Sequence, residues 1–252
     1  VLNWIFSLAL FFSEAFGGTW MFFKTQSTTF TPASISNLEN WYDCSDTATM
    51  TLSGSDITQL NDKSGNSRHL TQGTTSKSPD DTASCQNGLH CCRFDGTDDD
   101  LAGSLGSDRN NISIVIAAKS SRQRRYDAIF DARAGNTGDM TVEVGFGGNT
   151  FDLWVYNVGA HAMTAGTWSA STAFDLMVTY DNATIKTYIN NAGGGSQGSS
   201  GRYFRQNFTI GSSDPAFYDW KDDIYEIIVY SKVIDSTERT QLRDYLTAKW
   251  GY

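Results

Sequence analysis

Glutamate is scarce in this chain. Of its 28 acidic residues only Glu14, Glu39, Glu143, Glu226 and Glu238 are Glu, and the other 23 are Asp. Glu favours helix interiors whereas Asp favours turns and caps, so the imbalance argues against a helical protein. Proline is also sparse, at 3 residues against 23 Gly in 252, which excludes a proline-rich linker or a collagen-like repeat. Basic residues are outnumbered and the formal net charge is −9. A nucleic-acid partner needs a concentrated basic surface, and the one basic cluster, Arg122-Gln-Arg124-Arg125, is too short to provide it. There are four cysteines, Cys44, Cys85, Cys91 and Cys92, and no CxxC pair. That number does not make a disulfide scaffold in a chain of this length. Free, partly buried thiols in a reducing cytoplasm are the expectation, with a bridge from Cys85 to Cys91 or Cys92 as the alternative. His69, His90, Cys91 and Cys92 lack the spacing of zinc ligands, because adjacent strand residues point to opposite faces.

Catalytic patterns are missing as well. Sugar hydrolysis requires paired carboxylates, and no E-x-D-x-E or E-x-D-x-x-E run occurs. Gly194-Gly-Ser-Gln-Gly198 matches the G-x-S-x-G form of a nucleophile elbow. It lies in a Gly/Ser-rich tract with no helix after it, so a flexible hairpin loop is expected there.

What is present divides into three parts. Residues 1–23 are apolar and aromatic, with Glu14 as the one charge. No Lys or Arg precedes Lys24, which counts against a secretory leader, and Glu14 with Gly17-Gly18 counts against a lipid-exposed span. The favoured reading is an assembly anchor in which Trp4, Ile5, Phe6, Phe11, Phe12, Trp20, Phe22 and Phe23 bury themselves in another protein, with membrane contact as the less favoured alternative. Residues 24–36, rich in Thr and Ser and containing Pro32, read as a linker.

From residue 37 onward, apolar residues alternate with period two in short runs bounded by turn residues, the pattern of antiparallel strands. Eight strands are expected, at 112–118, 128–132, 140–146, 151–157, 174–180, 185–189, 207–210 and 224–230. In the run at 140–146, Met140, Val142, Val144 and Phe146 should face a core and the alternate residues solvent. The fold expected is an all-β, two-sheet antiparallel jelly-roll sandwich over 37–252. One helix is expected, at the C-terminus: Asp235 and Glu238 have capping-box spacing, Leu242, Tyr245, Leu246 and Trp250 recur at helical spacing, and Gly251 ends it. It should close over one end or edge of the sandwich.

Three features are candidates for binding. Trp154 and Tyr156 fall on the strand face opposite Phe151, Leu153 and Val155, where flat rings can stack on sugars. Asp95, Asp98, Asp99 and Asp100 form an acidic run, of which Asp95 and Asp98 are the first choices for a calcium ion. Trp168, Tyr203, Phe204 and Trp220 fall in expected loops, where they would be eligible for subunit contacts.

Four stretches carry a family resemblance: Leu38-Glu-Asn-Trp-Tyr-Asp-Cys-Ser-Asp46; Ile57-Thr-Gln-Leu-Asn-Asp-Lys-Ser-Gly-Asn-Ser-Arg-His-Leu70, with Leu60 where the family usually has Trp; Cys92-Arg-Phe-Asp-Gly-Thr-Asp98; and Ile224-Tyr-Glu-Ile-Ile-Val-Tyr230 with Leu242 to Gly251. Together they resemble the concanavalin A-like, laminin-G-like sandwich domains common in bacteriophage virion proteins and bacterial surface proteins. The resemblance, which does not reach residues 1–36, supplies a virion context. Joined to the apolar segment and the missing catalytic patterns, it leads to the expectation of a non-enzymatic virion structural protein, assembled in the host cytoplasm and displayed on the particle surface as a multicopy array or homo-oligomer anchored to other virion proteins through residues 1–23. A host-attachment module binding surface glycans is the alternative it leaves, and a glucanase-type hydrolase is the least favoured.

Overall fold

The computed structural model describes residues 29–134, 139–144, 150–155, 159–161, 167–198, 200–213 and 218–252. All of the expected anchor residues, Trp4 to Phe23, lie outside them. In chain order the elements are β1 (Leu38–Asp43), β2 (Met50–Ser53), β3 (Asp56–Leu60), β4 (Leu70–Thr71), β5 (Asp80–Gln86), β6 (Leu89–Asp95), β7 (Leu101–Ser104), β8 (Ile112–Lys119), β9 (Ala128–Ala132), β10 (Met140–Val144), β11 (Phe151–Val155), β12 (Gly159–His161), β13 (Phe174–Tyr180), β14 (Thr184–Ile189), β15 (Ala192–Gly198), β16 (Asn207–Ile210), β17 (Lys221–Tyr230) and the helix α1 (Ser236–Trp250).

Every named strand pairing is antiparallel, and the strands form two packed sheets. In the first, β17 pairs with β8 along one edge and with β1 and β6 end to end along the other; β8 continues to β13, β14 and β15, and β6 to β5. The second runs β12–β11–β10–β9–β16–β7–β4–β3–β2. A single pair, Asp56 with Asp80, joins the two at an edge.

The expected sandwich is therefore present, with a third layer on one side. Ile112, Ile114, Ile116 and Ala118 of β8 enter the core between the sheets, with Leu176, Val178, Ile227 and Val229 beside them and Leu70, Leu101, Phe130, Val142 and Phe208 opposite. Val115 and Ala117 point the other way, into a second core with Met177, Tyr225, Ile228 and Tyr230, where Leu242, Leu246 and Trp250 of α1 pack. This explains why β8, β13 and most of β17 are buried on both faces and read as nearly continuous apolar runs. Helix α1 thus covers the outer face of the first sheet rather than an end or edge of the sandwich. Its ends follow the expected chemistry: Asp235 accepts from the backbone N–H groups of Thr237 and Glu238, Glu238 returns a bond to Asp235, and Gly251 takes the left-handed conformation.

Several expectations are corrected. The cysteines are not free: Cys44 is bridged to Cys92 and Cys85 to Cys91, with Cα–Cα separations of 5.6 and 5.9 Å. Strand alternation is the reason. Cys92 faces the inter-sheet core and meets Cys44, while its neighbour Cys91 faces the helix side and meets Cys85. The tract at 190–201 is not a flexible loop, since Ala192–Gly198 forms β15 along β14, so Ser196 lies in a strand rather than at a strand-to-helix turn. Trp168, Phe204 and Trp220 are not surface contacts. They are buried, and Trp168 and Trp220 pack with Phe151 and Phe174 in one aromatic cluster, whereas Tyr203 is exposed. Strand β10 is buried at all five positions, Thr141 and Glu143 included, so its polar face does not lie open to solvent. Of the expected linker, residues 29–36 are described. Pro32 and Ile35 are buried, and Tyr230 donates its hydroxyl to the carbonyl of Pro32 at 2.9 Å.

Candidate functional site

Three of the four stretches that resemble the sandwich family meet under the helix in one buried polar cluster, and the third, 92–98, lies on the inter-sheet side. Glu226, on β17, is fully buried and receives four donors: Trp41 Nε1 at 2.6 Å, Tyr245 Oη at 2.8 Å, Lys249 Nζ at 2.8 Å and Trp250 Nε1 at 3.1 Å. Lys249 also donates to Asp43 at 2.6 Å, and Lys63 bridges Asp43 and Asp46 at 2.9 and 2.7 Å. Cys44, within the first stretch, is bridged to Cys92, which opens the third. Burial lifts the Glu226 carboxyl above the ordinary value even with Lys249 beside it. Burial would also lift Asp43, but Lys249, Ser45 and Lys63 outweigh it and hold that carboxyl low. Every carboxylate here is already bonded to side chains of this chain, so the cluster fastens α1 to β1 and β17. A cleft of about 490 Å3 beside it, lined by Phe30, Tyr245 and Lys249, is mostly apolar.

A second, more polar cleft is on the other sheet. A cleft of about 480 Å3 crosses the outer face of the second sheet and is lined by His69, Thr71, Ala102, Ser104, Asp131, Arg133, Asn207 and Thr209, with Gly103 and Phe208 beneath. Alternation builds it from four segments. Leu70, Leu101, Phe130 and both Phe208 and Ile210 enter the core, so His69 and Thr71, Ala102 and Ser104, Asp131 and Arg133, and Asn207 and Thr209 turn outward. Register aligns one row across five strands: Thr71 pairs with Ala102, Ala102 with Thr209, Thr209 with Asp131 and Asp131 with Thr141. His69, Thr71, Ala102 and Asn207 are exposed. Asp131 is buried in the wall, where it accepts from Arg133 Nε at 2.8 Å and Nη2 at 2.7 Å. Gly103 is required in the floor, because a Cβ there would lie 2.4 Å from the Phe208 ring.

Of the expected sugar-stacking pair, Trp154 takes the register position opposite Thr141, which places its backbone on the same cross-strand row. The Trp154 side chain and all of Tyr156 lie outside the described residues. The expected calcium ligands do come together. Oxygens of Asp95, Asp98 and Asp99 lie within 4.8 Å of one another, where sequence reasoning had singled out the first two. Burial, reinforced by the neighbouring Asp95, Asp98 and Asp80 charges, pushes the Asp99 carboxyl up to about 7. These are hard oxygen donors of the kind calcium takes, and they supply three of the roughly six to eight oxygens it needs. Sequence reasoning missed the cleft because its residues are common polar types in four separate short strands. The available signal was the alternation His69-Leu70-Thr71 directly after the Asp62 turn.

No family model matches the sequence, and no curated protein matches it. Solved structures with this fold do. Domain 4 of AbnA, a GH43 extracellular arabinanase from Geobacillus stearothermophilus, in complex with arabinotriose, aligns with a TM-score of 0.62 at 17% identity, over 82% of this chain and 98% of that one. The receptor binding domain of botulinum neurotoxin D aligns with a TM-score of 0.63 at 12% identity, over 88% of this chain and 56% of that one. Trypanosoma rangeli sialidase in complex with the inhibitor DANA aligns with a TM-score of 0.58 at 12% identity, over 87% of this chain but 35% of that one. The chain thus spans about half of the toxin domain and a third of the sialidase, and at these identities the likeness is one of fold: an antiparallel β-sandwich.

Proposed function

We propose that the sandwich is a glycan-binding module and that the cleft across the second sheet is its binding face. The observation that carries this reading is the open row of outward hydroxyl, amide and imidazole groups at His69, Thr71, Asn207 and Thr209, in a sheet whose other outer positions at β10 are buried. Sugars are recognised by such convergent polar groups on a preformed concave surface. The structural likeness to an arabinanase domain holding arabinotriose supports the same reading. Binding is favoured over hydrolysis because Asp131 is the one carboxylate among the lining residues and is tied to Arg133, whereas glycoside hydrolysis takes a pair. Titration of the full chain with a panel of oligosaccharides, alongside an assay for new reducing ends, tests this. Saturable binding without cleavage is expected, while release of shorter sugars or no binding across the panel defeats the proposal.

The finer reading, display on a virion surface through residues 1–23, rests on the apolar sequence of that segment and on the family resemblance. Its test is incorporation of the chain into particles with and without those residues. Calcium at Asp95 and Asp98, joined by Asp99, belongs to the same proposal, and a calcium-dependent rise in Tm that Asp98→Asn abolishes is the expected result.

A further inference from the structure

Resting on the glycan reading above, we infer that His69 is a specificity-determining donor of the cleft and that the ligand is an uncharged oligosaccharide lying across the strands. The backbone N–H of Asp62 donates to Nδ1 of His69 at 3.1 Å. A backbone N–H can only donate, so Nδ1 is the bare nitrogen and the proton of the neutral ring sits on Nε2. The contact therefore selects one tautomer and gives the cleft an N–H donor on a ring that lines it.

The turn that presents this ring is held from several sides. The Asp62 carboxylate accepts from Trp41 N at 3.0 Å, Ser64 N at 2.8 Å, Ser64 Oγ at 2.8 Å and Arg68 N at 3.1 Å. Arg68, next to His69, pairs with Glu39, and its guanidinium lies where a Cβ on Gly106 would fall, 2.5 Å from Nη2. Gly106 has φ +75°, a conformation that favours glycine, and the Arg68 guanidinium packs against it. The Asp62 turn, whose residues read from sequence as a loop-holding cluster, is thus also what delivers the imidazole to the cleft.

The charge inventory sets the ligand class. Among the lining residues the charged side chains are Asp131 and Arg133, and these are bonded to each other through two contacts. An anionic sugar would meet a carboxylate already matched to its guanidinium, whereas sugar hydroxyls match the alternating donors and acceptors of Thr71, Asn207 and Thr209. Length follows from register. Thr71 and Thr209 flank Ala102 one strand away on each side, about 10 Å apart at the usual strand spacing, and the small Ala102 side chain leaves the space between them free. A ligand that contacts His69 as well as both threonines extends beyond one sugar ring, so the geometry favours an oligosaccharide.

The test uses the full chain with arabinotriose and cellotriose as neutral probes and 3′-sialyllactose and trigalacturonate as anionic ones. Titration calorimetry is run on the parent, on His69→Phe, which keeps a ring without a donor, and on His69→Gln, which restores a terminal N–H. We expect a neutral trisaccharide to bind in preference to the anionic ones. His69→Phe should weaken it by roughly five- to tenfold, the worth of one hydrogen bond, and His69→Gln should recover most of that loss. Imidazole nitrogen NMR should report the Nε2–H tautomer in the free chain and a shift of Nε2 on saturation. An Nδ1–H tautomer, unchanged affinity in His69→Phe, or preference for the anionic probes overturns the inference. If neutral sugars bind but His69 is silent, this inference falls alone; if no probe binds, the glycan reading falls with it.

Discussion

The two polar clusters of this sandwich use similar side chains to opposite ends. Beneath α1, Asp43, Glu226, Lys63 and Lys249 are tied together and to the indoles of Trp41 and Trp250, and Glu226 has no contact with water. Across the second sheet, His69, Thr71 and Asn207 stand exposed along the cleft. Three of the four recognisable motifs contribute to the first cluster, yet its carboxylates are bonded internally. The second meets a motif at His69, at the end of the Asp62 stretch, and its other lining residues belong to none. The motif residues of the first cluster thus join the sandwich to the helix, whereas the proposed binding face is built mainly from residues outside the motifs.

That contrast predicts large losses of stability in the closed cluster and small ones in the open cleft. Glu226→Gln should be the most damaging change, because it sets an amide N–H2 against donors and leaves Lys249 short of a partner; breaking a buried ion pair in this way costs about 3–5 kcal/mol. Urea denaturation reads the loss directly, and a change below about 1 kcal/mol would mean that the helix is not fastened through Glu226. Separating the two bridges sharpens the picture further. Cys44 and Cys92 are 48 residues apart, so replacing both by Ser should cost about 4 kcal/mol on the chain-entropy model, whereas the same replacement at Cys85 and Cys91, 6 apart, should cost about 2 kcal/mol. Equal effects of the two double variants would show that strain or residual structure, not loop closure, governs them.

The acidic turn should respond to pH rather than to mutation alone. Asp99 titrates at about 7 in the folded chain, above its ordinary value of 3.8, so the folded state binds the extra proton between these limits. Stability contributed by that proton is present at pH 4 and is lost as pH rises toward 7. Asp99→Asn should flatten this part of the profile and melt higher than the parent at pH 8, with little difference at pH 4. A parallel pair of profiles would show that Asp99 ionises normally. The smallest structural effect is expected in the cleft, where Asn207→Ala and Thr209→Ala should shift stability by about 0.5 kcal/mol or less, as surface changes do. Each should still weaken binding of a neutral trisaccharide severalfold, measured by the same calorimetry. A fall in stability comparable to that of Glu226→Gln would make the cleft part of the closed architecture and erase the contrast.

Much of this was legible beforehand. Period-two alternation located β9, β13 and β16 to the residue and β8, β10, β11, β14 and β17 to within a few, and the Asp235–Glu238 box with Gly251 bounded α1. Weaker patterns hid the rest. The strands β2 to β7 are short, edge-like or rich in polar residues, and β15 is written in Gly and Ser, so none carries a strong apolar alternation. What the sequence determined by itself depends on neighbours along the chain: the alternation of the main strands, where the helix starts and stops, and that Asp95 and Asp98 share one turn. The burial of Thr141, Glu143, Trp168 and Trp220, by contrast, came from distant partners. Tertiary structure alone decided what depends on partners far along the chain. It paired Cys44 with Cys92, brought Trp41, Glu226 and Lys249 to one point, and aligned Thr71, Ala102, Thr209 and Asp131 into a row. Local pattern is set by backbone geometry within a few residues, whereas these contacts follow from strand order and register, which one segment's sequence does not encode.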